Sequence, residues 1–187
     1  GQLTLSNNAN VISQDIATTM QVDSTGSWLV EAGPNLAGLL ALPINASTGV
    51  PTSSIERCTA LPAATVQELT ISPDNAHVFV ALGSSGTQVV TLAAGNASPF
   101  GGVANIPVYN SAGAAVSVAV DPNNRLLYIG ENAATPGYNS GGLRVINYNT
   151  LAEASGSPLA TGGLAPYAIA PTAYGAYAGN FVYVANR

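Results

Sequence analysis

Val118-Ala-Val-Asp-Pro-Asn-Asn-Arg-Leu-Leu-Tyr-Ile129 reads as an apolar strand, a turn on Asp121, Pro122 and Asn123, and a second apolar strand. The same pattern recurs three more times. Met20-Gln-Val-Asp-Ser-Thr-Gly-Ser-Trp-Leu-Val30 and Leu69-Thr-Ile-Ser-Pro-Asp-Asn-Ala-His-Val-Phe-Val80 are copies, and Ala168-Ile-Ala-Pro-Thr172 resumes after an insertion at Asn180-Phe-Val-Tyr-Val184. The last apolar residue before each turn is Val22, Ile71, Val120 or Ile169, so successive copies are 49 positions apart. A fixed period of this length marks a solenoid or a propeller, in which one supersecondary unit is stacked repeatedly.

Each period holds more than this hairpin. Leu39-Leu-Ala and Gln88-Val-Val keep the 49-residue offset as third strands, Leu143-Arg-Val-Ile-Asn-Tyr148 is the third strand of the next copy, and outer strands are expected between Val50 and Cys58, after Asn96-Ala-Ser-Pro-Phe100 and near Glu153 to Leu159. Four short strands separated by turn residues make one antiparallel sheet. The second strands, such as Leu126-Leu-Tyr-Ile129, are apolar at consecutive positions and therefore covered on both faces. Sheets packed face to face in a β-propeller meet that requirement. The expected fold is an all-β propeller segment occupying residues 1–187 as one domain: an outer strand within 1–17, repeats at 18–66, 67–116 and 117–165, and a partial repeat at 166–187. Fifteen strands leave the ring incomplete in this chain, so the remaining blades are expected from the same polypeptide or from a second copy. An open propeller would expose sheet edges and an apolar face, which natural proteins avoid.

Composition narrows the partners. Nine acids stand against four arginines and no lysine, a net charge of -5, which disfavours nucleic acid and anionic membrane surfaces. No apolar run approaches the roughly 18–20 residues of a membrane helix, so membrane insertion is not expected. Hydrophobic residues make up 47% and charged residues 7%, a balance that argues against disorder and suggests an exported bacterial protein, secreted, periplasmic or at the cell surface. The single cysteine, Cys58, excludes an intrachain disulfide and a thiolate metal cage, and reads as a small half-buried hydrophobe.

Phe181-Val-Tyr-Val-Ala-Asn186 is very close to the signature second strand of the YVTN-repeat, lactonase-like β-propellers, and Ala168-Ile-Ala-Pro171 is similar to their first strand. Leu143-Arg-Val-Ile-Asn-Tyr148 resembles their third strand and Gly156-Ser-Pro-Leu-Ala-Thr-Gly162 their outer-strand ending. The resemblance covers nearly the whole chain. It implies a family that joins bacterial lactonases such as 6-phosphogluconolactonase to surface and binding proteins, usually with about seven blades, and hence that this chain is a fragment of such a propeller.

The residues themselves carry little chemistry. His77 is the only histidine and lies at the start of a second strand with no linked Gly-x-Ser-x-Gly nucleophile. No metal site is expected, since a histidine-rich site is impossible and no calcium-loop spacing occurs; no cofactor motif is present, because Gly83-Ser-Ser-Gly86 lacks the spacing of a phosphate cradle. Glu68 stands where the other repeats have Thr19, Ser117 and Pro166, so it is expected to face the channel. Glu31, Glu131 and Asn186 end second strands and are expected to project from the loop-bearing face. Tyr138, Tyr174 and Tyr177 lie in the two loops that break the period and are candidates for binding a small molecule, a carbohydrate or a protein. Asn45-Ala-Ser47 and Asn96-Ala-Ser98 match the N-glycosylation pattern. The leading expectation is a non-enzymatic extracytoplasmic module for binding or assembly. The alternative is a lactone hydrolase in which Glu68 assists water attack on the ester carbonyl; a structural subunit of a surface layer or filament is a third reading.

Overall fold

A computed structural model of the protein describes residues 17–33, 38–52, 57–62, 64–93, 99–123, 125–132, 142–163, 165–172 and 179–187. Among them every helix or strand assigned is a strand, in four antiparallel sheets. The first runs β1 (Thr19–Val22), β2 (Trp28–Ala32), β3 (Gly38–Pro43), β4 (Arg57–Ala60), and the second β5 (Glu68–Ile71), β6 (His77–Ala81), β7 (Thr87–Leu92), β8 (Phe100–Ile106). The third pairs β9 (Ala115–Val120), β10 (Leu126–Glu131) and β11 (Gly142–Asn147), with β12 (Ala152–Glu153) and β13 (Leu159–Ala160) both on the outer side of β11. The fourth is β14 (Pro166–Pro171) with β15 (Val182–Asn186). This is a β-propeller-like arrangement, and the described sheets do not close a ring.

The consecutive apolar residues of β6 explain how the sheets stack. Val78 and Val80 enter one core with Trp28, Val30 and Leu39 of the first sheet, whereas Phe79 and Ala81 enter a second core with Leu127 and Ile129 of the third. Alternate side chains of one strand therefore serve opposite interfaces. Each fully buried Val, Leu, Ile or Phe contributes about 1.5–3 kcal/mol, so these two cores dominate the stability of the stack.

The turns close with side chains at the repeat interval. Asp23 Oδ1 accepts from the Ser27 and Trp28 N–H groups at 2.7 and 2.8 Å, Ser72 Oγ does the same for Ala76 and His77 at 3.1 and 2.9 Å, and Asp121 Oδ1 accepts from Asn123 N at 2.7 Å. Asn75 ties the first two turns together, accepting from Ser24 N and donating to Ser24 Oγ.

Three outer strands differ from expectation. The first, expected between Val50 and Cys58, runs from Arg57 to Ala60 and so overlaps only the end of that interval; nearer its start, the Asn45 turn brings Pro51 back to a single bridge with Ile44. The second is the seven-residue β8, the longest strand described, in place of a weak segment. The third is split: between β12 and β13, Ser157 Oγ substitutes for a strand carbonyl by accepting from Val145 N at 2.9 Å. Residues 1–16 of the expected outer strand and the Cys58 side chain lie outside the described residues.

Candidate functional site

β1, β5, β9 and β14 stand side by side as the first strands of successive sheets, β1 against β5, β5 against β9 and β9 against β14. Each presents an unpaired strand edge whose N–H groups need acceptors. The preceding sheet supplies them. Thr19 Oγ1 accepts from Leu69 N at 3.3 Å, Gln21 Oε1 from Ile71 N at 3.0 Å, and Glu68 Oε2 from Val118 N at 2.9 Å. At the next interface the polarity reverses, and Ser117 Oγ donates to the Pro166 carbonyl at 2.5 Å. Thr19, Glu68, Ser117 and Pro166 are the 49-spaced set read from the sequence, so Glu68 occupies a structural linking position as well as a chemical one.

Where these strands begin, a cleft of about 220 Å³ is lined by Thr18, Thr19, Gln67, Glu68, Val116 and Tyr167, drawing on all four sheets. Burial pushes the Glu68 carboxyl above its usual range, against the opposing pull of the Val118 N–H. A half-buried carboxylate with raised affinity for a proton, opening on a polar cleft, is suited to take a proton from water or return one. Tyr167 is 58% exposed, and the Arg187 guanidinium lies 5.4 Å from its ring centroid. Arg187 also closes the strand end, its N–H donating to the Ala165 carbonyl at 2.9 Å.

His77 is not part of this cleft. Glu68 pairs across the ladder with Ala81, while His77 sits four residues away at the far end of β6, about 13 Å at roughly 3.3 Å per residue. Its ring packs against Phe79 and Tyr148 at centroid distances of 5.9 and 5.7 Å, beside a second cleft of about 300 Å³ whose lining includes Thr91 and Asn149. Its Nδ1 is buried without a hydrogen-bond partner among the described atoms.

The strand-end carboxylates sit inside the molecule. Glu31 is buried in β2 between Met20 and Leu40. Glu131 is buried as well: it accepts from Tyr109 N at 3.1 Å and from Arg144 at 2.8 Å. Arg144 reaches Glu153 through two further bonds of 3.0 Å and donates to the Pro107 carbonyl at 2.7 Å. Burial alone would raise the Glu153 carboxyl, but hydrogen bonds from Arg144 and Ser157 and the Arg144 charge hold it below its ordinary value. This buried network fixes the segment between β8 and β9. Asn186 is exposed, yet its side chain is tied to Thr161, accepting from the hydroxyl at 2.8 Å and donating to the carbonyl at 2.9 Å. Tyr138, Tyr174, Tyr177 and Asn96 lie outside the described residues; Asn45 is exposed, with Oδ1 accepting from Ser47 N at 2.9 Å. Among the described residues no group of three His, Cys, Asp or Glu could hold a metal ion.

Reading the residues alone missed Arg144, Tyr167 and Arg187. A lone arginine inside an apolar third strand is a signal for Arg144. Tyr167 had one too, since the positions 49 apart from it are the apolar Met20, Leu69 and Val118.

No family model matches the chain, and no curated protein matches its sequence. Solved structures match its fold. A candidate 6-phosphogluconolactonase from Bacteroides uniformis superposes with a TM-score of 0.67 at 14% identity, covering 90% of this chain and 47% of its own. A second candidate 6-phosphogluconolactonase, from Bacteroides fragilis, gives 0.63 at 14% identity with the same coverage. A functionally unknown protein from Desulfotomaculum acetoxidans gives 0.58 at 20% identity, over 89% of this chain and 47% of that one. The likeness is one of fold, and the chain spans about half the length of the structures it matches.

Proposed function

We propose that this chain is part of a lactone-hydrolysing β-propeller whose reaction takes place at the Glu68 cleft. The observation that carries the reading is the half-buried Glu68 carboxyl opening on a polar cleft at the start of the first strands, where burial raises its affinity for a proton. The fold shared with two candidate 6-phosphogluconolactonases supports the choice of a sugar lactone over other esters. That support is by analogy of fold.

In this reaction the Glu68 carboxylate takes a proton from a water molecule as the water oxygen bonds to the lactone carbonyl carbon. The tetrahedral intermediate then expels the ring oxygen, which takes the proton back from Glu68 as the C–O bond breaks, so the product is the open hydroxy acid and the Glu68 carboxylate is regenerated. Neither a metal nor a nucleophilic serine enters the scheme. The test is acid release from glucono-1,5-lactone above the spontaneous rate, with Glu68→Gln as the comparison. The reading requires enzymatic release that falls at least a hundredfold in the variant, the usual scale of general-base catalysis. Equal rates in both proteins refute it.

A binding or assembly role is the second reading. It is favoured by Tyr167 and Tyr183 on the fourth sheet and Phe181 just before β15, which are 58%, 66% and 53% exposed. Further blades, supplied by a longer polypeptide or a second copy, would cover that sheet in either reading.

A further inference from the structure

We infer that Arg187, whose guanidinium lies over the Tyr167 ring beside the Glu68 cleft, is an anion-recognition element of that cleft and takes the carboxylate of a polyhydroxy acid. The inference rests on the lactonase reading for the identity of the acid, but the Arg187–Tyr167 contact that carries it does not involve Glu68.

Three observations converge. Tyr167 lines the cleft, and Arg187 lies 5.4 Å from its ring centroid. β15 ends beside the start of β14, with Asn186 paired to Pro166 and the Arg187 N–H bonded to Ala165, so Arg187 is fixed at the cleft end of the sheet. Its charge is also uncommitted. Arg144 is consumed by Glu131 and Glu153, and Arg125 faces Asp74 at 3.6 Å and Asn149 at 3.2 Å, whereas Arg187 contacts no carboxylate among the described residues.

A guanidinium held over an aromatic face is attracted by the ring without using its N–H donors, which stay available for a ligand. Two parallel N–H donors match a carboxylate, and the contact with the Tyr167 ring keeps the fork near the cleft before the ligand arrives. Hydrolysis of a sugar lactone creates a carboxylate, so the element would hold the product anion. Glu68 repels it, which orients the carboxylate towards Arg187 and leaves hydroxyls for Thr18, Thr19 and Gln67.

The test is calorimetric titration of the protein with sodium gluconate, beside neutral sorbitol as a control. Gluconate is expected to bind and sorbitol not to, with affinity falling as salt is raised. Arg187→Gln should weaken gluconate roughly tenfold or more, the scale of a charged hydrogen bond. Tyr167→Ala should weaken it less, and Tyr167→Phe, which keeps the ring, little. Glu68→Gln should keep or improve gluconate binding while abolishing hydrolysis. Absence of gluconate binding, equal binding of sorbitol, or unchanged affinity in Arg187→Gln would overturn the inference. Gluconate binding that depends on Arg187 in a protein that hydrolyses no lactone would sink the hydrolase reading and leave this one standing.

Discussion

Glu68 combines two roles that a substitution pair can separate. Its carboxylate accepts from Val118 N, and an amide oxygen can do the same, so Glu68→Gln should unfold within about 0.5 kcal/mol of the parent in urea titrations near pH 5. Glu68→Ala orphans the Val118 N–H and should cost about 1–3 kcal/mol. Because folding raises this carboxyl's pKa, its cost to stability is absent below the unfolded-state value and grows as pH rises through the folded-state value. Glu153, whose carboxyl is held low, has the opposite sign: its contribution is present above the unfolded-state pKa and lost as pH falls through the folded one. The Glu68→Gln variant should therefore gain stability relative to the parent on going from pH 4 to pH 7. Arg144 poses a sharper case, since removing it leaves Glu131 and Glu153 facing each other with Glu131 buried. Arg144→Leu should lose about 3–5 kcal/mol by denaturant titration, far more than an exposed ion pair would.

The hairpins show what the sequence could and could not convey. The 49-residue period, the turns that follow Val22, Ile71 and Val120, and the two-faced burial of the second strands were all legible, because each follows from a residue type at a fixed position. Asp23→Ala removes the acceptor of the Ser27 and Trp28 N–H groups and should destabilise by about 1–3 kcal/mol in thermal or urea melts, with Asp23→Asn intermediate. Outer strands were poorly legible. They pack on one side only, so few apolar positions constrain them, and side chains such as Ser157 can replace backbone pairing. The cleft was half legible: the 49-spaced set singled out Glu68, but Tyr167 and Arg187 meet it through strand pairing, which local pattern does not encode. Glu131 was expected to project and is instead buried, because its partner Arg144 comes from the neighbouring strand.

At the scale of the whole molecule, the described sheets are covered where they face one another, and apolar side chains are exposed on the first and the fourth. Met20 and Val22 are 58% and 46% exposed on the first sheet, Tyr167 and Tyr183 are exposed on the fourth, and Phe181 is exposed just before β15. Apolar residues left open in this way favour contact with another sheet. A polypeptide of this length alone should self-associate in light scattering, and substituting Phe181 and Tyr183 with serine should shift it towards monomer without changing the fold. A polypeptide about twice as long would match the solved propellers and should stay monomeric. The measurement that bears most directly on the account is the pH dependence of glucono-1,5-lactone opening by the native protein and by Glu68→Gln. The account predicts a rate that rises with pH through an ionisation above the ordinary glutamate range, and a variant in which both the rate and that rise are lost. A variant with the parent's rate and pH profile would contradict it.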